Sequence, residues 1–158
     1  MKLKRKAKSG GARTRTAPDR ESRSAAVECA RIADARRGKD IVVLHIEDKI
    51  LVTDYFVIAS AANKRQIQAI AFDVRERLRE AGYREVRIEG YEEASWVLVD
   101  CGPVVVHVFR EDLRSYYDLE LLWGDAPKVS WKPRTKAKQY RKGFAVIMHV
   151  KEAQAAPP

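Results

Sequence analysis

Apolar residues recur every three or four positions between residues 63 and 81, where Ile67, Ile70, Ala71, Val74, Leu78 and Ala81 share one face. Arg75, Glu76, Arg77, Arg79 and Glu80 take the other. That spacing predicts an amphipathic helix. Asn63 can cap it, Gln66 three residues later can return the bond, and Gly82 ends it. A weaker stripe of Val27, Ala30, Ala33 and Asp34 or Arg37 predicts a helix from Ser24 to Arg37, stopped by Gly38. Ile41–Ile46 is a nearly continuous apolar run, as in a strand buried on both faces. Leu51–Thr53 and Tyr55–Ile58 read as a second extended stretch, and Glu85–Ile88 as a short strand. Trp96–Asp100 and Val104–Phe109 are two more, with Cys101-Gly102-Pro103 as a tight hairpin between them. Asp112–Leu122 predicts a last helix. Helices interleaved with strands predict a single layered α/β domain, a mixed sheet flanked by helices. Its last two strands pair antiparallel, and the strands flanking the middle helix are free to run parallel.

Beyond residues 24–127 the periodicity fades. Residues 1–23 hold Gly10-Gly11 and scattered Ser and Thr, and read as a disordered basic arm. Residues 128–158 form a basic extension in which Phe144–Val150 is unexpectedly apolar. An edge strand, a segment packed on the core and a loose end all remain open for that run.

Charge sharpens this division. Residues 1–24 carry nine Lys/Arg against Asp19 and Glu21, and residues 126–158 carry eight against Glu152. Each end therefore holds +7, so a net charge of +9 leaves −5 on residues 25–125. An acidic core suits a basic protein partner better than it suits nucleic acid. The ends suit either rRNA phosphate contacts or a role as solvated arms. No apolar run approaches the ~20 residues of a membrane helix. The basic N-terminus lacks the apolar segment of a secretory signal, and Asp19 and Glu21 fit an organelle transit peptide poorly. Cys29 and Cys101 lie in different elements without metal spacing, so a reduced, cytoplasmic protein with buried thiols is expected.

The search for chemistry returns little. There is no Gly-rich phosphate loop after a strand and no serine elbow. His45 and His107 alternate with apolar neighbours inside strands, away from any ligand offset, so a structural or partner-contacting role is expected of each. Asp54 and Asp100 stand at strand ends, where nucleotidyltransferases hold Mg²⁺, yet each lacks a second carboxylate nearby. Turn aspartates bonding local amides are the simpler reading. No catalytic residue, cofactor site or metal site is nominated.

What stands out is aromatic and aliphatic bulk beside charge. Tyr116, Tyr117, Leu119, Leu121, Leu122 and Trp123 crowd one short helix, and a helix apolar on more than one face must bury more than one. Tyr117, Leu119 and Leu122 are expected in the core. Trp96, Tyr116 and Trp123 are balanced between core and interface, where Trp and Tyr dominate binding energy.

Three collinear segments then resemble the ribosomal silencing factor family, also called the Iojap family. They are Asp54–Ile58 with Arg65–Ile70; Glu89-Gly90 leading to Trp96–Asp100; and Val104–Phe109 with Arg114, Tyr116-Tyr117, Leu119-Glu120 and Leu122-Trp123. Ala61-Ala62 and Pro103 depart from the family pattern in loops only. The resemblance implies a nucleotidyltransferase-like fold without the catalytic carboxylates, and a binding protein rather than an enzyme. It implies a homodimer when free. It also implies binding to the large ribosomal subunit through ribosomal protein uL14, which blocks joining of the small subunit. Trp96, His107, Tyr116, Glu120, Trp123 and Asp125 are the expected partner-binding residues. Two rivals remain: an RNA-binding, ribosome-associated or assembly module working through the basic ends, and a nucleotidyltransferase-like enzyme.

Overall fold

A computed structural model describes residues 17–46 and 52–133. The elements are α1 (Ala17–Ala35), β1 (Lys39–His45), β2 (Tyr55–Ala61), α2 (Lys64–Glu80), β3 (Arg87–Glu89), β4 (Trp96–Asp100), β5 (Val104–Arg110), α3 (Glu111–Tyr117) and α4 (Leu119–Leu122). The strands form one five-stranded sheet in the order β1-β2-β5-β4-β3. Only β2 and β5 pair in parallel; the other neighbours are antiparallel. The mixed α/β layering expected from the sequence is present. The strands flanking α2, β2 and β3, run in the same direction but are not neighbours, because the β4–β5 hairpin lies between them.

Strand alternation sends two sets of side chains to opposite faces. Tyr55, Val57, Ala59, Ala61, Val97, Val99, Val104, Val106 and Val108 meet α1 and α2 in the larger core. From α1 come Ala26, Cys29, Ala30 and Ala33; from α2 come Ile67, Ile70, Ala71, Val74 and Leu78, all buried. Small residues on α1 let it lie close to the sheet. Its modest apolar stripe is therefore enough to seal that side.

The caps are local chemistry. Asn63 accepts from the Gln66 backbone N–H at 2.9 Å, as the spacing requires. Gln66 Oε1 accepts from Ala62 N rather than from the cap residue itself. Its Nε2 donates to the carbonyls of Arg36 and Arg37, both at 2.9 Å. One side chain thus starts α2 and satisfies two carbonyls at the end of α1 that have no helical partner. At that end the left-handed residue is Arg37, φ 61°. Gly38 is required for room instead, since a Cβ there would sit 2.8 Å from the Ala33 carbonyl oxygen.

Several boundaries differ from expectation. α1 begins at Ala17, seven residues before Ser24, so residues 17–23 are helix rather than arm. Ser22 is buried in this stretch, and Tyr55 Oη donates to Asp19 Oδ1 at 2.8 Å, tying the first turn to β2. Polar contacts of that kind leave no apolar periodicity in the sequence. Val52 and Thr53 lie outside β2, and Leu51 is outside the described residues. The last helix breaks in two at Asp118, whose φ of 35° is left-handed. Phe144–Val150 lies outside the described residues.

Candidate functional site

The second sheet face is covered differently. Phe56 and Ile58 of β2, Leu98 and Trp96 of β4, Val105, His107 and Phe109 of β5, and Leu44 of β1 point to it. Only α3, α4 and the chain after them lie over this face, and neither short helix contains a buried residue. Leu119, Trp123 and Ala126 reach down to it. Tyr116, Leu121 and Leu122 stand 79%, 80% and 69% exposed. Tyr117, at 42%, is also largely outside. The expectation that Tyr117 and Leu122 are core is corrected. A break at Asp118 turns the two short helices so that they touch the sheet along one edge and leave the rest in water.

Beneath them the aromatic side chains form a connected set. Trp96 and Phe109 are register partners on adjacent strands, with rings stacked at 5.0 Å. Tyr117 lies 4.8 Å from Trp96, and Tyr116 meets Tyr117 edge-on at 5.1 Å. Phe56 meets His107 edge-on at 4.8 Å and Trp123 at 5.8 Å. Such pairs contribute ~0.5–1.5 kcal/mol each beyond area burial.

His107 sits at the centre, 5% exposed. Its Nδ1 accepts from Trp96 Nε1 at 3.2 Å. Burial pushes its pKa down to about 4, against the opposing pull of the Asp100 carboxylate. The ring is neutral, with its proton on Nε2, and this atom is buried without a hydrogen-bond partner.

Arg114 fixes α3 over the sheet. Its Nη1 donates to Ser60 Oγ at 2.8 Å, its Nη2 to the Asp40 carbonyl at 2.5 Å, and its Nε to Glu120 Oε1 at 3.1 Å. Its side chain is only 13% exposed. Arg110 pairs with Asp112 through two bonds. Residues 111–125 together carry five acids, Glu111, Asp112, Asp118, Glu120 and Asp125, against Arg114 alone.

Of the six expected partner-binding residues, Trp96, His107 and Trp123 lie in the aromatic layer. Tyr116, Glu120 and Asp125 lie on or beside the two short helices. Glu120 is committed to Arg114, Trp96 and Trp123 are half-buried, and His107 is covered. The sequence reading passed over Phe56, Phe109, Arg114 and Leu121. Period-two alternation places Phe109 on the His107 face, so that residue was within reach. Arg114 looked like one more surface cation. Asp100 Oδ1 accepts from the Gly102 backbone N–H at 2.8 Å, as a turn aspartate does. Among the described residues no group of three His, Cys, Asp or Glu could hold a metal ion, and no helix is long and apolar enough to cross a membrane.

A sheet sealed on one side and lined with aromatic residues under an acidic, apolar ledge on the other defines an α/β protein with a surface built for docking. The family described as "Ribosomal silencing factor during starvation" matches residues 19–154, and the chain belongs to it. A Bacillus subtilis protein named ribosomal silencing factor is 50% identical over 98 residues, 62% of this chain and 83% of the relative. The chloroplastic Iojap protein of Arabidopsis thaliana is 37% identical over 111 residues, 70% of this chain and 46% of that longer protein. Two crystal structures share the fold. One, from Bacillus halodurans, gives a TM-score of 0.58 at 40% identity, covering 70% of this chain and 98% of that one. The other, from Chromobacterium violaceum, gives 0.60 at 36% identity, covering 74% and 95%.

Proposed function

We propose that this protein is a ribosomal silencing factor that binds the large ribosomal subunit through ribosomal protein uL14. Bound there, it stands where the small subunit would join and represses translation. The observation that carries this reading is the unequal cover of the sheet. α1 and α2 close one face, whereas α3 and α4 leave Tyr116, Leu121 and Leu122 in water beside Trp96 and Trp123. Large exposed apolar groups rimmed by charge mark interaction sites, and the −4 carried by residues 111–125 complements a basic ribosomal protein. Trp96, Tyr116 and Trp123 supply aromatic anchors, Glu120 and Asp125 the acidic rim, and His107 supports Trp96 from below. The mechanism is obstruction and needs no chemistry at the site. The reading also makes the free chain a homodimer and places it with ribosomes in the cytoplasm.

Sedimentation with separated subunits tests it. The protein should travel with large subunits alone and reduce their reassociation with small ones. Intact ribosomes assembling normally while the protein is bound at saturation would overturn the reading. If the basic ends bound RNA instead, removing residues 1–16 and 134–158 would abolish co-sedimentation, with steep salt dependence beforehand. The cut belongs after Pro133, because Trp131 is buried in the larger core.

A further inference from the structure

We infer that the C-terminal extension, residues 134–158, folds back on its own chain and covers the exposed patch of Tyr116, Leu121 and Leu122 with its apolar run Phe144–Val150. The inference rests on the docking reading only for its consequence, competition with the ribosomal partner.

The first support is where the described chain ends. After α4, residues 126–131 run along the free edge of β1. His45 N donates to the Pro127 carbonyl at 2.9 Å, and Val129 N to the Val43 carbonyl at 2.8 Å. Trp131 Nε1 then donates to the Ile41 carbonyl at 3.1 Å, while Arg31 Nε donates to the Trp131 carbonyl at 3.1 Å. The exit at Pro133 is thus anchored beside Ile41. The residue before it, Asp40, receives Arg114 of α3, and Lys39 pairs with Glu111 of α3 at 3.0 Å. Consecutive β1 residues therefore hold the chain exit and the base of the patch. From Pro133, eleven residues to Phe144 can span up to about 36 Å, ample to turn the β1 edge and reach α4.

The second support is complementarity. Residues 111–125 carry five acids and one base, with Arg114 already bonded to Glu120. The extension carries Arg134, Lys136, Lys138, Arg141, Lys142 and Lys151 against Glu152, and then presents Phe144, Val146, Ile147, Met148 and Val150. A basic segment with an apolar core is what an acidic patch with an apolar centre fits. The N-terminal residues 1–16 are equally basic in character but contain no apolar run. A two-fold contact of the patch with its own copy would set like charge against like. Tethering also gives the extension a high effective concentration at the patch that no free partner matches. The consequence is a self-covered docking surface, which a basic ribosomal protein must uncover before it binds.

Hydrogen exchange on three proteins decides this: the full chain, the chain ending at Pro133, and the full chain carrying Val146→Asp and Ile147→Asp. The shortened chain keeps every described element. The full chain should protect backbone amides of residues 116–123 at least several-fold over the other two, equally at low and high protein concentration. Large-subunit affinity should rise several-fold in both altered proteins. Equal exchange in all three overturns the inference. Protection that grows with protein concentration also overturns it, because a second copy is then the cover. A fall in subunit affinity on truncation overturns the competition and assigns the extension to the ribosome. Tail-dependent protection with no subunit binding by any of the three supports the intramolecular contact and counts against the docking reading instead.

Discussion

Trp96 Nε1 donates to His107 Nδ1 across adjacent strands at 3.2 Å, and this bond fixes the histidine tautomer. An acceptor at Nδ1 leaves the proton on Nε2, facing an apolar layer. Charging the ring would place a second proton on Nδ1, directly against the indole N–H. Burial and this donor therefore both oppose the imidazolium.

The pH dependence of folding follows. The His107 pKa is about 4 in the fold and ~6.5 in an unfolded chain. Between those values the unfolded state binds the extra proton, so stability is full above ~6.5 and falls as pH drops toward 4. From pH 7 to pH 5 the loss due to this group is about 2 kcal/mol. Urea unfolding at both pH values should show it, and His107→Phe should flatten the difference. An equal drop in the variant would assign the dependence to other groups.

Trp96 has two separable roles, a hydrogen bond and a wall. Trp96→Phe keeps the stack on Phe109 and Tyr117 but frees His107 Nδ1, so the His107 pKa should change while the fold persists. Trp96→Ala removes the wall as well. If Trp96 anchors docking, the alanine variant should weaken large-subunit binding by ~2 kcal/mol or more. Co-sedimentation titrations, with circular dichroism to confirm folding, check both.

The sequence made the helix-covered face readable and the open face only partly so. Residues Ile67 through Leu78 repeat at helical spacing because one face alone is buried, and Val57, Val99 and Val106 sit in strands buried on both faces. Periodicity reports such uniform environments directly. It did not report the break at Asp118, because a left-handed aspartate leaves the apolar spacing of Leu113 to Leu122 unchanged. Tyr117 and Leu122 were therefore assigned to a core that the broken helix never reaches. Nor did it report Arg114, whose burial comes from three polar partners scattered over β1, β2 and α4. Trp96 and His107 were nominated separately on family resemblance. Their bond emerges from the β4–β5 register, which a sequence does not display.

Gly90 guards the approach to Trp96. Its φ is +78°, and a Cβ there would lie 2.4 Å from the Trp96 carbonyl oxygen. That carbonyl belongs to the backbone and cannot swing away. Gly90→Ala should therefore destabilise the protein by about 2 kcal/mol or more, combining a strained left-handed residue with a backbone clash. Thermal unfolding reads the loss. Gly82, also at positive φ but with open space around it, is the control, and alanine there should cost less.

Arg114 is the post that holds the docking ledge. Removing it leaves Ser60 Oγ and the Asp40 carbonyl without their donor, and leaves Glu120 facing Asp118 and Asp125 uncompensated. Unmaking bonds to a charged, largely covered guanidinium costs on the order of 2 kcal/mol. Most of that loss should be local, because α3 and α4 bury no residue of their own. Arg114→Ala should therefore raise amide exchange across residues 111–123 by ten-fold or more while α1 and α2 stay protected. Arg114→Lys should recover only part of the protection, since one ammonium cannot reproduce a planar fork that serves Ser60, Asp40 and Glu120 together. Uniform exchange across the whole chain in Arg114→Ala would show instead that the ledge is integral to the fold. Large-subunit binding by both variants then measures how much of the docking depends on holding the ledge in place.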